Sequence, residues 1–154
     1  MSNLRELYQQ LILDHNKNPR NFRVMSSVDR TAEGHNPLCG DKVQIYLQVN
    51  DDRISDISFQ GSGCAISKAS ASLMTDAIKG KTLTETDTLF QNFHTMVTAP
   101  SPNDADPDHM GKLAVFSGIR DYPARVKCAT LAWHTLKAAI ANAQTPVTTE
   151  SDSQ

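Results

Sequence analysis

At 154 residues the chain is long enough to bury a core and short enough for one domain of ordinary size. With 39% hydrophobic and 21% charged residues it has a soluble, globular composition, and no run approaches the roughly 18 consecutive apolar residues that a membrane span requires. A net charge of −2 argues against nucleic acid as the main partner, because nucleic-acid binding ordinarily needs a basic face.

The first ten residues, MSNLRELYQQ, contain no apolar signal-peptide core, so a reducing, cytoplasmic setting is expected. Leu4, Leu7, Tyr8, Leu11, Ile12 and His15 fall at the spacing of one helical face, with Asn3 and Glu6 placed as a capping pair and Pro19 as the stop. This predicts a helix over 3–16. The polar stretch NKNPRNFRVMSSVDR follows, with room for a short strand in its middle. The loop NPLCGD (36–41) comes next. After it, Val43, Ile45, Leu47 and Val49 alternate with polar partners as a half-buried strand, NDD at 50–52 has turn chemistry, and 53–60 reads as the returning strand. Ile54 is out of phase with Ile57 and Phe59, which a bulge would explain.

Beyond Gly61 and Gly63 a helix is expected to run to about Lys79, with the stripe Ile66, Ala69, Leu73 and Ala77 and with Gly80 at its C-terminal end. Thr84 is placed to cap a further helix, whose stripe is Leu89, Phe90, Phe93, Met96 and Val97. Residues 99–111 are a loop by composition, and Asp104, Asp106 and Asp108 within it read as solvated charge, since no glycine or distal glutamate completes a calcium loop. The last helix starts near Pro123, with Val126, Ala129, Trp133, Leu136 and Ile140 inward. One domain over 1–144 is expected, and the tail 145–154 has nothing to bury and is expected to be disordered.

The three cysteines occupy distinctive places: Cys39 in the loop before the first clear strand, Cys64 at a helix N-terminus, and Cys128 in the second turn of the last helix. Helix N–H groups favour a thiolate at Cys64. A structural zinc site takes four ligands, and the C-x-D unit offers Asp41 beside Cys39 as the fourth. Spacing alone leaves metal binding, thiol chemistry and plain burial open, since there is no C-x-x-C pair. No protease-like signature links a cysteine to His15, His35, His94, His109 or His134, and the phosphate-loop pattern is absent.

Four blocks in order, LYQQLILDHNKNPRN, NPLCGD, ISFQGSGCAISKASASLM and PARVKCATLAW, closely resemble the NifU-like family of iron–sulfur cluster assembly proteins over about residues 4–140. Lys127 stands where the IscU-type branch has a histidine, and a long segment, roughly 83–121, separates the helix after Cys64 from the one bearing Cys128. Both features resemble the SufU branch. The resemblance implies an α+β fold, a three-stranded antiparallel sheet with helices packed around it. It also implies a Zn2+ site made by Cys39, Asp41, Cys64 and Cys128, with iron or a [2Fe–2S] cluster on the same ligands as the alternative. The implied partners are a pyridoxal-phosphate-dependent cysteine desulfurase of the SufS type and the downstream cluster-assembly machinery. Cys39 would accept persulfide sulfur, and Arg125 would position the incoming group.

Overall fold

The computed structural model describes residues 2–98, 110–143 and 145–149. Helix α1 (Ser2–Lys17) leads into the strands β1 (Arg30–Asn36), β2 (Asp41–Asn50) and β3 (Arg53–Ser62), followed by α2 (Ala65–Ile78), α3 (Leu83–Thr98), a 3-10 segment (Gly111–Ile119) and α4 (Pro123–Ile140). The strands form one antiparallel sheet in the order β1-β2-β3. No helix among the described residues is long and apolar enough to cross a membrane.

Side-chain alternation decides which way the sheet faces. Val43, Ile45 and Leu47 of β2 are buried, with Gln44 and Tyr46 between them half-exposed, and on β3 Ile57, Ser58 and Phe59 are buried and Gln60 half-exposed. Asp51 and Asp52 form the two-residue β2–β3 loop with φ of 52° and 61°, the left-handed backbone that a type I′ hairpin turn requires and that aspartate tolerates. Next to it the ladder slips. Val49 pairs with Ile54 but Gln48 with Asp56, so Ser55 is the extra residue of a bulge, and Ile54 thereby enters the core.

Helices α2 and α4 cover the buried face. Trp133 of α4 is fully buried, stacked on Phe93 of α3 at 4.4 Å between centroids, and its indole N–H donates to Ser70 Oγ of α2. Ser70 in turn donates to the Ala129 carbonyl, so the one tryptophan joins three helices without stranding a polar atom. Burial on α2 spreads well beyond the apolar stripe: Ser67, Ser70, Ser72 and Thr75 are also buried. The hydroxyls of Ser70, Ser72 and Thr75 serve as internal partners. Ser72 Oγ lies 2.7 Å from His15 Nδ1 and accepts the Arg20 N–H at 2.8 Å, which pins α1 and its exit to α2.

Several expectations change. Asn3 lies inside α1, which begins at Ser2, and Leu7 is 60% exposed rather than part of the inner face. The polar connection carries no strand in its middle, only a single bridge from Phe22 to Phe59, and the first strand starts at Arg30, where short polar residues mask its alternation. The cap of α3 is Thr82, not Thr84: Thr82 and Glu85 exchange reciprocal bonds of 2.9 and 3.0 Å, a capping box two residues earlier. The tail also differs. Val147 accepts from His35 N–H and donates to the Glu33 carbonyl, and Thr149 is buried, because β1 is an edge strand whose unpaired backbone groups gain partners there. Residues 99–109, with Asp104, Asp106, Asp108 and His109, and residues 150–154 lie outside the described residues.

Candidate metal centre

Three elements converge at one end of the sheet. The β1–β2 hairpin closes at the pair Asn36–Asp41, and the loop between them, Pro37 to Gly40, carries Cys39. Cys64 is the N-cap of α2, accepting the Ser67 N–H on its sulfur at 3.4 Å. Cys128 sits in the second turn of α4 and is 9% exposed.

Asp41 is the hub. It is fully buried, and among the described residues no cation pairs with it. One carboxylate oxygen accepts the Cys64 N–H at 2.9 Å, and the other lies 3.2 Å from Cys39 Sγ and 3.7 Å from Cys64 Sγ. Donor atoms of Cys39, Asp41 and Cys128 all lie within 4.8 Å of one another. Cys64 stands beside this group, joined to it through the Asp41 carboxylate. The chain can pack this tightly because of Gly63, whose φ is +137° and where a Cβ would overlap the Asp41 carboxylate.

The thiols differ in acidity. The neighbouring Cys128 thiol, with help from the Ser67 and Ile66 backbone at the start of α2, holds Cys64 down at about 7 against the partial desolvation of its sulfur, although the residue itself is exposed. Cys64 in turn pushes Cys128 strongly up, and burial and Asp41 add to the effect. Cys39 is exposed as a residue, but its sulfur turns inward towards Asp41, and burial of the thiol raises it. A buried carboxylate calls for a cation or a metal. Two sulfurs and one oxygen that already converge, with the Cys64 sulfur 3.7 Å from the same carboxylate and soft donors in the majority, match what zinc or iron takes in a tetrahedral site. The donor set therefore fits a metal ion.

The four sulfur and oxygen residues singled out from sequence thus come together. Arg125 turns elsewhere: it is exposed on the first turn of α4, with its guanidinium 4.8 Å from the centroid of the Tyr122 ring. His134 packs on α3, edge-on to Phe90 and His94 at 5.4 and 5.8 Å between centroids, and burial holds its pKa low. Sequence reasoning passed over Asn36, which is fully buried at the base of the loop. Its only signal there is its place ahead of Pro37, which reads as a turn residue.

A family model described as the NifU-like N terminal domain matches residues 7–129. The chain belongs to the NifU-like family. Among its members, the chain is 39% identical to the zinc-dependent sulfurtransferase SufU of Bacillus subtilis, over 91% of this chain and 93% of the relative. It is 40% identical to the iron–sulfur cluster assembly scaffold protein IscU of Streptococcus pyogenes, over 94% and 91%. The structure of FiSufU from the thermophile Fervidobacterium islandicum superposes with a TM-score of 0.78 at 34% identity, covering 85% of this chain and 94% of that one. The NifU-like fold is therefore the α+β arrangement that the sequence resemblance implied, an antiparallel three-stranded sheet with helices.

Proposed function

We propose that this chain serves iron–sulfur cluster assembly as a sulfur acceptor. Cys39 would take sulfur from the persulfide of a pyridoxal-phosphate-dependent cysteine desulfurase and pass it on, and Cys39, Asp41, Cys64 and Cys128 would hold zinc. The observation that carries this reading is the position of Cys39. It alone of the three thiols lies on a hairpin loop, next to a Leu38 that is 90% exposed, yet its sulfur sits 3.2 Å from a buried carboxylate. A loop tip can meet a partner's sulfur, whereas Cys64 and Cys128 are built into helices. The likeness to the Bacillus subtilis sulfurtransferase supports the same reading.

When bound, zinc would supply a positive centre that keeps the thiols ionised and holds the Cys39 sulfur in reserve. In the transfer, the Cys39 thiolate attacks the outer sulfur of the donor persulfide. A new S–S bond forms on Cys39, the donor's S–S bond breaks, and the donor leaves as a thiolate. Asp41 would orient the loop end of the site, and Arg125, exposed three residues before Cys128, would meet the donor's surface.

The test is a desulfurase assay with the parent and Cys39→Ser, read as alanine release and as a one-sulfur mass increase on the chain. The parent is expected to accelerate release and to carry the extra sulfur, and Cys39→Ser is expected to do neither while melting as the parent does. Stimulation that survives in Cys39→Ser sinks the reading. The likeness to the Streptococcus pyogenes scaffold favours a second reading, in which a [2Fe–2S] cluster is built as cargo on the same donors. Metal analysis with a visible spectrum of freshly purified protein separates the two. Zinc without colour supports the acceptor, and iron with acid-labile sulfide and visible absorption supports the scaffold.

A further inference from the structure

Asn36 and Thr149 form a chain of hydrogen bonds that joins the Cys39 loop to the helix bearing Cys128. Asn36 Nδ2 donates to Thr149 Oγ1 at 2.7 Å, and Thr149 Oγ1 donates onward to the Lys127 carbonyl at 2.9 Å, one residue before Cys128. Asn36 Oδ1 accepts the Thr149 N–H and the Thr148 hydroxyl, each at 2.9 Å. The backbone carbonyl of Asn36 meanwhile accepts the Gly40 N–H at 2.8 Å and faces the Cys39 thiol at 3.7 Å. Asn36 is also the cross-strand partner of Asp41. One buried amide therefore references Cys39 and Asp41 through the hairpin, and Cys128 through Thr149 and Lys127.

The segment that delivers Thr149 is itself held in place. Val147 donates to the Glu33 carbonyl at 2.9 Å and accepts the His35 N–H at 2.8 Å, extending the sheet past β1 by a parallel bridge at Gly34. Both Asn36 and Thr149 are buried, so their amide and hydroxyl groups find partners in each other rather than in water, and leaving one unpaired is costly.

We propose that residues 145–149 are a clasp and that Asn36 and Thr149 are positioning residues, which set the distance between the loop donors Cys39 and Asp41 and the helix donor Cys128. This rests on reading those residues as the donor set and Cys39 as the sulfur acceptor. Thr149→Val keeps the shape of the side chain and removes the relay, Thr149→Ser restores a hydroxyl, and Val147→Pro removes the N–H that ties the clasp to β1.

The test uses the full chain with two readouts: alkylation rate of Cys39 in metal-free protein, followed by peptide mass analysis, and zinc affinity by competition with a chromogenic chelator. Thr149→Val and Val147→Pro are expected to alkylate several-fold faster at Cys39 and to bind zinc about 10- to 100-fold more weakly, the usual cost of losing an outer-shell partner. Thr149→Ser is expected to match the parent in both. Thr149→Val behaving as the parent overturns the clasp, and so does Thr149→Ser failing as badly as Thr149→Val. If the parent itself binds no zinc, the proposed metal centre fails, and Cys39 alkylation still decides the clasp by itself.

Discussion

Asp41 shows how much one side chain can organise. A fully buried carboxylate is expensive, and here its oxygens meet one backbone N–H and two sulfurs. Asp41→Ala should weaken zinc binding by at least about tenfold, the smallest loss expected even from an outer-shell change. Chelator competition checks this, and unchanged affinity would remove Asp41 from the donor set. Gly63 is the second residue on which the centre depends. With φ at +137° and no room for a Cβ beside Asp41, Gly63→Ala should cost about 1–3 kcal/mol of stability from backbone strain and should also disturb zinc binding. Urea denaturation followed by Trp133 fluorescence measures the first effect, and the same chelator competition measures the second.

At the scale of elements, the ends of helices are set by side chains that local pattern reading can misplace by two residues. The α3 cap is the clearest case: the sequence reading chose Thr84, and the reciprocal bonds between Thr82 and Glu85 show that the cap is Thr82. Thr82→Ala should cost about 1 kcal/mol. Thr84→Ala, at an exposed position inside the helix, should stay within about 0.5 kcal/mol, and paired chemical denaturations would decide. The β2–β3 hairpin was legible throughout, because period-two alternation, the NDD turn and an out-of-phase Ile54 each have one local explanation. Strand β1 was not. Its sequence RTAEGHN places Ala32, Gly34 and Asn36 on the buried face, too small or too polar to register as a hydrophobic alternation. A Cβ at Gly34 would run into Thr135 of α4, so that position is small because a helix crosses it closely.

At the scale of the molecule, buried histidine links stability to pH. His15 is buried against Ser72, its Nε2 has no partner among the described residues, and burial lowers its pKa below the usual 6.5. Arg20 and Lys112 add to the lowering, and Asp14 and Asp76 oppose it. Because the unfolded chain takes up the proton more readily, stability is full above about pH 6.5 and falls as pH drops from there towards the lower folded value. His134 acts in the same direction. Melting temperature followed from pH 7.5 to 5 should show this decline, and His15→Gln should flatten part of it. A variant that declines as steeply as the parent would place the linkage elsewhere.

The NifU-like identity was legible from the chain alone, since short motifs with fixed internal spacing carry it: NPLCGD sets Cys39 two residues from Asp41, and GSGC sets Cys64 at a helix start. The hairpin and the long helices were legible because periodicity is a local property of the backbone. Only the tertiary structure decided that Asn36 and Thr149, 113 residues apart, share a buried hydrogen bond, that residues 145–149 lie along β1, and that Arg125 leans on Tyr122. A contact between distant residues leaves no spacing to read. It exists because an edge strand and a buried amide must each find hydrogen-bond partners, and only the folded chain brings those partners within reach.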